Sequence, residues 1–213
     1  MLATLPAAAT VWGLAQSNQV LNGTGPVEHH AWIPLLDLNI TLRLDTLSWV
    51  MVLLVGLVGT LVMIYCSAYF SASATSLGRF ASVLTAFAGA MLGLVIADNL
   101  LVVYTFWELT TVFSYLLIGH YHERKTSRRA AMEAIIITTA GGLAMLGGMI
   151  LLGNHAGTFE ISQLLGADNL TGTLVGVAAA LILAGAVTKS ALIPFPARCF
   201  CQREPRAHDF CFT

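Results

Sequence analysis

Charge is what this sequence has least of. Lys, Arg, Asp and Glu make up 10% of its 213 residues, against about 25% in a typical soluble domain. With 57% hydrophobic residues and a mean hydropathy of +0.79, the chain cannot cover its apolar surface with polar groups. A water-soluble domain is thereby excluded, and a bilayer must solvate much of the surface. The net charge of −1 excludes a global basic field, and with it nucleic acid as a partner. No nucleotide loop and no nucleophile motif is present, so no soluble-enzyme reading survives. Cysteine is sparse, and Cys199, Cys201 and Cys211 all fall after Phe195. With His208 they give the pattern C-x-C-x6-H-x2-C, which matches no common zinc-ligand spacing. Neither a metal site nor a cofactor is expected. Residues 1–15 are apolar but lack the positively charged start of a secretory signal. They are also shorter than the roughly 20 residues of a full span. They read as the end of a helix whose beginning is missing, or as an uncleaved signal-like first span.

Long apolar runs are what the chain does have. Residues 46–65, 80–97, 99–119, 134–152 and 172–195 each approach the length an α-helix needs to cross hydrocarbon. They lack the ten-residue alternation of membrane β-strands. The expected fold is an all-α polytopic helix bundle of five full spans plus a partial N-terminal helix. Gly89 and Gly93, and Gly172 and Gly176, have the four-residue spacing that lets membrane helices approach closely. The same glycines also fit simple membrane-helix composition.

Basic residues orient the bundle. Arg79 lies in loop 66–79, and Arg124, Lys125, Arg128 and Arg129 lie in loop 120–133. Arg43 is alone on the opposite side, in segments 16–44 and 153–171. The bias places loops 66–79 and 120–133 in the cytoplasm. Asp45 stands where it can cap the first long helix, and Asp98 and Asn99 read as a tight polar turn on the outer side. His120 and His122 belong to the cytoplasmic loop.

Two charges interrupt the runs. Glu108 lies near the middle of 99–119, and Lys189 lies within 172–195. A charge at mid-bilayer costs roughly 2.5–3.5 kcal/mol on insertion scales, so both must face protein, water or each other. One reading is a buried pair that only fixes helix packing, a weak stabiliser once desolvation is counted. The other is a proton or ion path. Desolvation disfavours the charged form of each group and an opposite charge restores it. A pair whose separation changes can then load and release a proton. Thr110, Thr111 and Ser114 follow Glu108, and Thr188 and Ser190 flank Lys189. They can support the path by holding water, or bond to their own backbone. Pro194 and Gly185 bracket Lys189, as a helix break lining a wet cavity would require; Pro194 can equally just end the helix.

The stretch WELTTVFSYLLIGHYHERKTSRRAAMEAIIITTAGGLAMLGG, with RLDTLSWVMVLL and ADNLLVVYTFWEL before it and LAGAVTKSALIPF at its far end, resembles the large A subunit of Mrp-type Na+/H+ antiporters. The likeness covers about residues 35–195. This family is related to the proton-pumping subunits of respiratory complex I, whose acid-bearing helix more often reads like WEGVGLCSYLLIGF. The resemblance implies a fold of two inverted five-helix repeats, each a half-channel, of which this chain would hold part of the first. It implies that Glu108 is the proton-path glutamate of the WEL element and Lys189 its partner in a discontinuous helix. It further implies a multi-pass plasma-membrane protein with other small membrane subunits as partners, and protons, with sodium, as cargo. Two rival readings remain. One is a redox-coupled subunit of complex I or a related hydrogenase, and the other is a non-transporting remnant that only packs with membrane subunits. After Phe195 the family continues with a histidine and an FWLP-like run, whereas Pro196 stands here. Residues 1–195 are therefore expected to form the antiporter-like domain, and 196–213 a frameshifted or disordered tail.

Overall fold

The computed structural model describes residues 4–33, 38–69, 77–118, 125–167 and 170–190. Its elements in chain order are helices α1 (Thr4–Ala15) and α2 (Ser17–Leu21), strands β1 (Val27–Ile33) and β2 (Leu38–Arg43), and helices α3 (Thr46–Tyr69), α4 (Leu77–Ile96), α5 (Leu100–Ile118), α6 (Lys125–Ala156), α7 (Ile161–Leu165) and α8 (Thr173–Lys189). Helices α3 to α6 are each long and apolar enough to cross a membrane, whereas α8 has 17 described residues and α1 has 12. The chain is a multi-pass membrane helix bundle. Of the five expected full spans, four reach spanning length among the described residues. The last part of the fifth, Pro194 included, lies outside them, as do His120, His122, Arg124 and the 196–213 segment with its three cysteines and His208.

The helical bundle stands, and two of its connections are corrected. Segment 16–44 is more than a loop: β1 and β2 form an antiparallel hairpin in which Val27 pairs with Arg43 and His29 with Thr41. Val27, Ile33, Ile40 and Thr41 are the β-branched residues that favour an extended backbone. The basic segment 120–133 is not a loop throughout either. From Lys125 onward it is the start of α6, a helix of 32 residues. Arg, Ala, Met and Glu in RRAAME are strong helix formers, so the helix continues well past the apolar run.

Neighbours in sequence pack on one another through α3, α4, α5 and α6, with α1 laid on α3 and α8 on α6. The indole N–H of Trp49 donates to the Gly13 carbonyl at 2.7 Å, tying α3 to α1. At one end, backbone bonds stitch the connections together. Asp98 N–H donates to Thr41 O at 2.8 Å, Leu100 N–H to Phe159 O at 2.9 Å and Ile161 N–H to Asp98 O at 2.7 Å. The buried Asp98 carboxylate accepts from Ser162 N–H (3.0 Å) and Ser162 Oγ–H (2.6 Å). Asn99, 1% exposed, accepts from Leu101 N–H through Oδ1 at 2.9 Å. The polar turn read from the sequence is thus a buried knot joining the hairpin, the α4–α5 corner and α7. Asp45 caps α3 as its position suggests, accepting from Ser48 N–H at 2.7 Å.

Candidate functional site: a lysine caged on the acid-bearing helix

Helix α5 presents Trp107, Thr110 and Thr111 on one face, since residues three and four apart share a side. Helix α8 brings Lys189 to that face at its last turn. The Lys189 ammonium donates to Trp107 O at 2.9 Å, to Thr110 Oγ1 at 2.5 Å and to Thr111 Oγ1 at 2.9 Å. It also lies 4.7 Å from the centroid of the Trp107 ring, within cation–π range. An ammonium has three donors, and three oxygens receive them. The threonines are set up for this by their own helix. Each donates its hydroxyl hydrogen to Trp107 O, at 2.7 Å from Thr110 and 3.2 Å from Thr111. Only lone pairs then remain to face the lysine. Thr110 and Thr111 are 1% and 5% exposed, so their hydroxyls are buried, while Lys189 and Trp107 are half-buried.

Glu108 stands beside this cage without closing it. Among the described residues it forms no ion pair with Lys189, and its Oε1 is buried with no hydrogen-bond partner. That oxygen rests where a side chain on Gly142 of α6 would be. The adjacent Gly141 leaves room in the same way for Thr188 Oγ1. A Cβ on Gly185 would lie 2.6 Å from Met145 Cβ and 2.7 Å from Gly141 O. Bare glycine backbone on α6 and α8 is therefore what lets three helices converge on the acid and the lysine.

The expected residues divide. Glu108, Lys189 and Thr111 meet in one place. Ser114 lies outside the cage. Thr188 and Ser190 donate to carbonyls of their own helix, Gly185 O at 2.7 Å and Ala186 O at 3.0 Å, which is the backbone-bonding alternative. Thr110 proves as central as Thr111. Trp107, through its carbonyl and ring, and the Gly141–Gly142 pair are additions that the sequence reading misses. The i, i+3, i+4 spacing of Trp107, Thr110 and Thr111 was the available signal. Of the four spaced glycines, only Gly93 is tightly packed, against Phe106 (2.5 Å to Cζ). Gly89, Gly172 and Gly176 face open space. Among the described residues no group of His, Cys, Asp and Glu could hold a metal ion.

A bundle of spanning helices with an acid and a caged lysine where its helices meet defines a class of membrane protein, and comparison with known proteins gives the family. Residues 97–197 match the family described as NADH:quinone oxidoreductase/Mrp antiporter, transmembrane region. Residues 32–81 match NADH-ubiquinone oxidoreductase (complex I), chain 5 N-terminus. The chain is 44% identical over 179 residues to the A subunit of the Na(+)/H(+) antiporter of Alkalihalophilus pseudofirmus, covering 82% of this chain and 22% of that protein. It is 40% identical over 176 residues to the probable K(+)/H(+) antiporter A/B subunit of Rhizobium meliloti, covering 81% of this chain and 18% of that protein. Among solved structures, the Mrp complex from Dietzia sp. superposes with a TM-score of 0.80 at 31% identity, over 91% of this chain and 21% of that one. The membrane-bound sulfane sulfur reductase, an archaeal respiratory complex, shares the fold (TM-score 0.76, 21% identity, 92% of this chain and 40% of that one). The chain belongs to the Mrp antiporter/complex I family of membrane proteins, on the side of the large antiporter subunits. It spans about a fifth of the length of the curated relatives it matches.

Proposed function

We propose that this chain forms the proton-handling centre of a cation/proton antiporter subunit in the plasma membrane, with Glu108 and Lys189 as its titrating pair. The supporting observation is the Lys189 cage. A cation inside a membrane bundle is held on the helix that carries the acid, by oxygens of the residues on either side of Glu108. Such placement answers the cost of an intramembrane charge and leaves the carboxylate free to exchange a proton. When the ammonium sits in its cage, Glu108 feels a positive charge nearby without being locked to it. When the ammonium withdraws, the carboxylate loses that support and takes up a proton. The pair thus alternates between two protonation states as its separation changes. Other membrane subunits of an antiporter complex are the partners this reading requires, and no redox chemistry is assigned to the chain.

The test is antiport in everted vesicles from a host lacking its own antiporters, complemented by an Mrp-type complex carrying this segment in its largest subunit. Glu108→Gln, which keeps shape and removes the charge, abolishes antiport while the complex still assembles. Wild-type antiport in that variant removes Glu108 from the path. The match of residues 32–81 to the complex I family favours one second reading, a redox-coupled pump. Proton movement that follows a reducing substrate instead of an imposed cation gradient identifies it.

A further inference from the structure

The oxygens that hold Lys189 suit any desolvated monovalent cation, not only an ammonium. Trp107 O, Thr110 Oγ1 and Thr111 Oγ1 converge on one point, with a tryptophan face on another side. The two hydroxyls spend their hydrogens on Trp107 O, so they present only acceptors. This is the chemistry with which backbone carbonyls replace the hydration shell of an alkali ion. A buried, unpartnered Glu108 oxygen stands beside the same helical turn. It supplies a negative charge that the lysine does not bind directly.

We propose that this cage is an exchangeable site for a dehydrated alkali cation, and that the Lys189 ammonium is its tethered competitor. The inference rests on the transport reading above and gives the centre a binding site for the cation it exchanges for a proton. An alkali ion entering the three oxygens displaces one positive charge with another, so the cage never holds two. The departing ammonium leaves Glu108 beside the new ion as its counter-charge. A proton reaching Glu108 removes that counter-charge and weakens the hold of the cage on the ion. Cation and proton then compete for one centre through separate groups, the cation on neutral oxygens and the proton on the carboxylate.

The experiment reads binding, not transport. The purified complex carrying this segment is equilibrated with 22Na+ or 86Rb+, and bound ion is counted per complex. Lys189→Ala binds one ion more than wild type, and adding Thr110→Val and Thr111→Val removes that extra ion. Serines at 110 and 111 in the Lys189→Ala background keep it, because the oxygens remain. If the alanine variant fails to assemble, Lys189→Met, which keeps the aliphatic stem, takes its place. Whichever of sodium and rubidium fills the site identifies a sodium-like or potassium-like cargo. No extra ion, or an extra ion untouched by the two valines, overturns the proposal. The transport reading is judged separately, by antiport in Glu108→Gln.

Discussion

At the scale of single residues, the site depends on what Gly142 lacks. A methyl group there would overlap Glu108 Oε1. The oxygen is the far end of a flexible side chain, so the carboxylate would move and the helices would stay in place. Gly142→Ala should therefore leave complex assembly intact and lower antiport by about tenfold to a hundredfold, the order expected from an ångström-scale misplacement of a reacting group. Antiport at the wild-type rate would show that the carboxylate's position against α6 is unimportant. Lys189→Arg provides a second check. A planar guanidinium cannot aim three hydrogens at oxygens grouped on one helical turn, so arginine should fail to restore transport although it keeps the charge. Glu108 and Lys189 were legible in the sequence because charges within apolar runs are conspicuous and expensive. The cage was not, because a backbone carbonyl has no letter of its own. A glycine likewise does not announce which neighbour needs its space.

At the scale of elements, α6 and α8 meet through backbone. A Cβ at Gly185 would press on Met145 Cβ and on Gly141 O, and one at Gly148 would lie 2.6 Å from Ala178 O. Backbone cannot step aside as a glutamate tip can. Gly185→Ala should destabilise the bundle by about 1–3 kcal/mol, the usual range for overpacking, read as a lower midpoint in thermal unfolding of the detergent-solubilised complex. Gly176→Ala, on the same helix with open space around it, should leave that midpoint unchanged. At the other end of α5, Ser162→Ala withdraws one hydroxyl bond from the buried Asp98 carboxylate. A loss of about 1.5–3 kcal/mol is expected, as for hydrogen bonds to charged groups. The long helices were legible from their apolar runs to within a few residues for α4 and α5. The hairpin was not, since it is short and sits in a polar connection. The start of α6 was hidden because the charges that mark a cytoplasmic face also read as a loop.

At the scale of the whole molecule, the hairpin, the Asp98 corner and α7 gather at one end of the bundle, as alternating spans demand. The positive-inside bias assigns that end to the outside. In a background without native cysteines, Asn22→Cys should react with a membrane-impermeant maleimide in intact cells, and Gly78→Cys only after permeabilisation. Both positions are exposed, and reversed labelling would invert the orientation. The coupling proposed between one acid and one lysine within this frame is read by a double-mutant cycle on the antiport rate, using Glu108→Gln and Lys189→Met. If the two act as one unit, each single variant loses nearly all antiport beyond background, and the double variant loses no more. Losses that simply add would mean that the acid and the lysine work independently and are not a coupled pair.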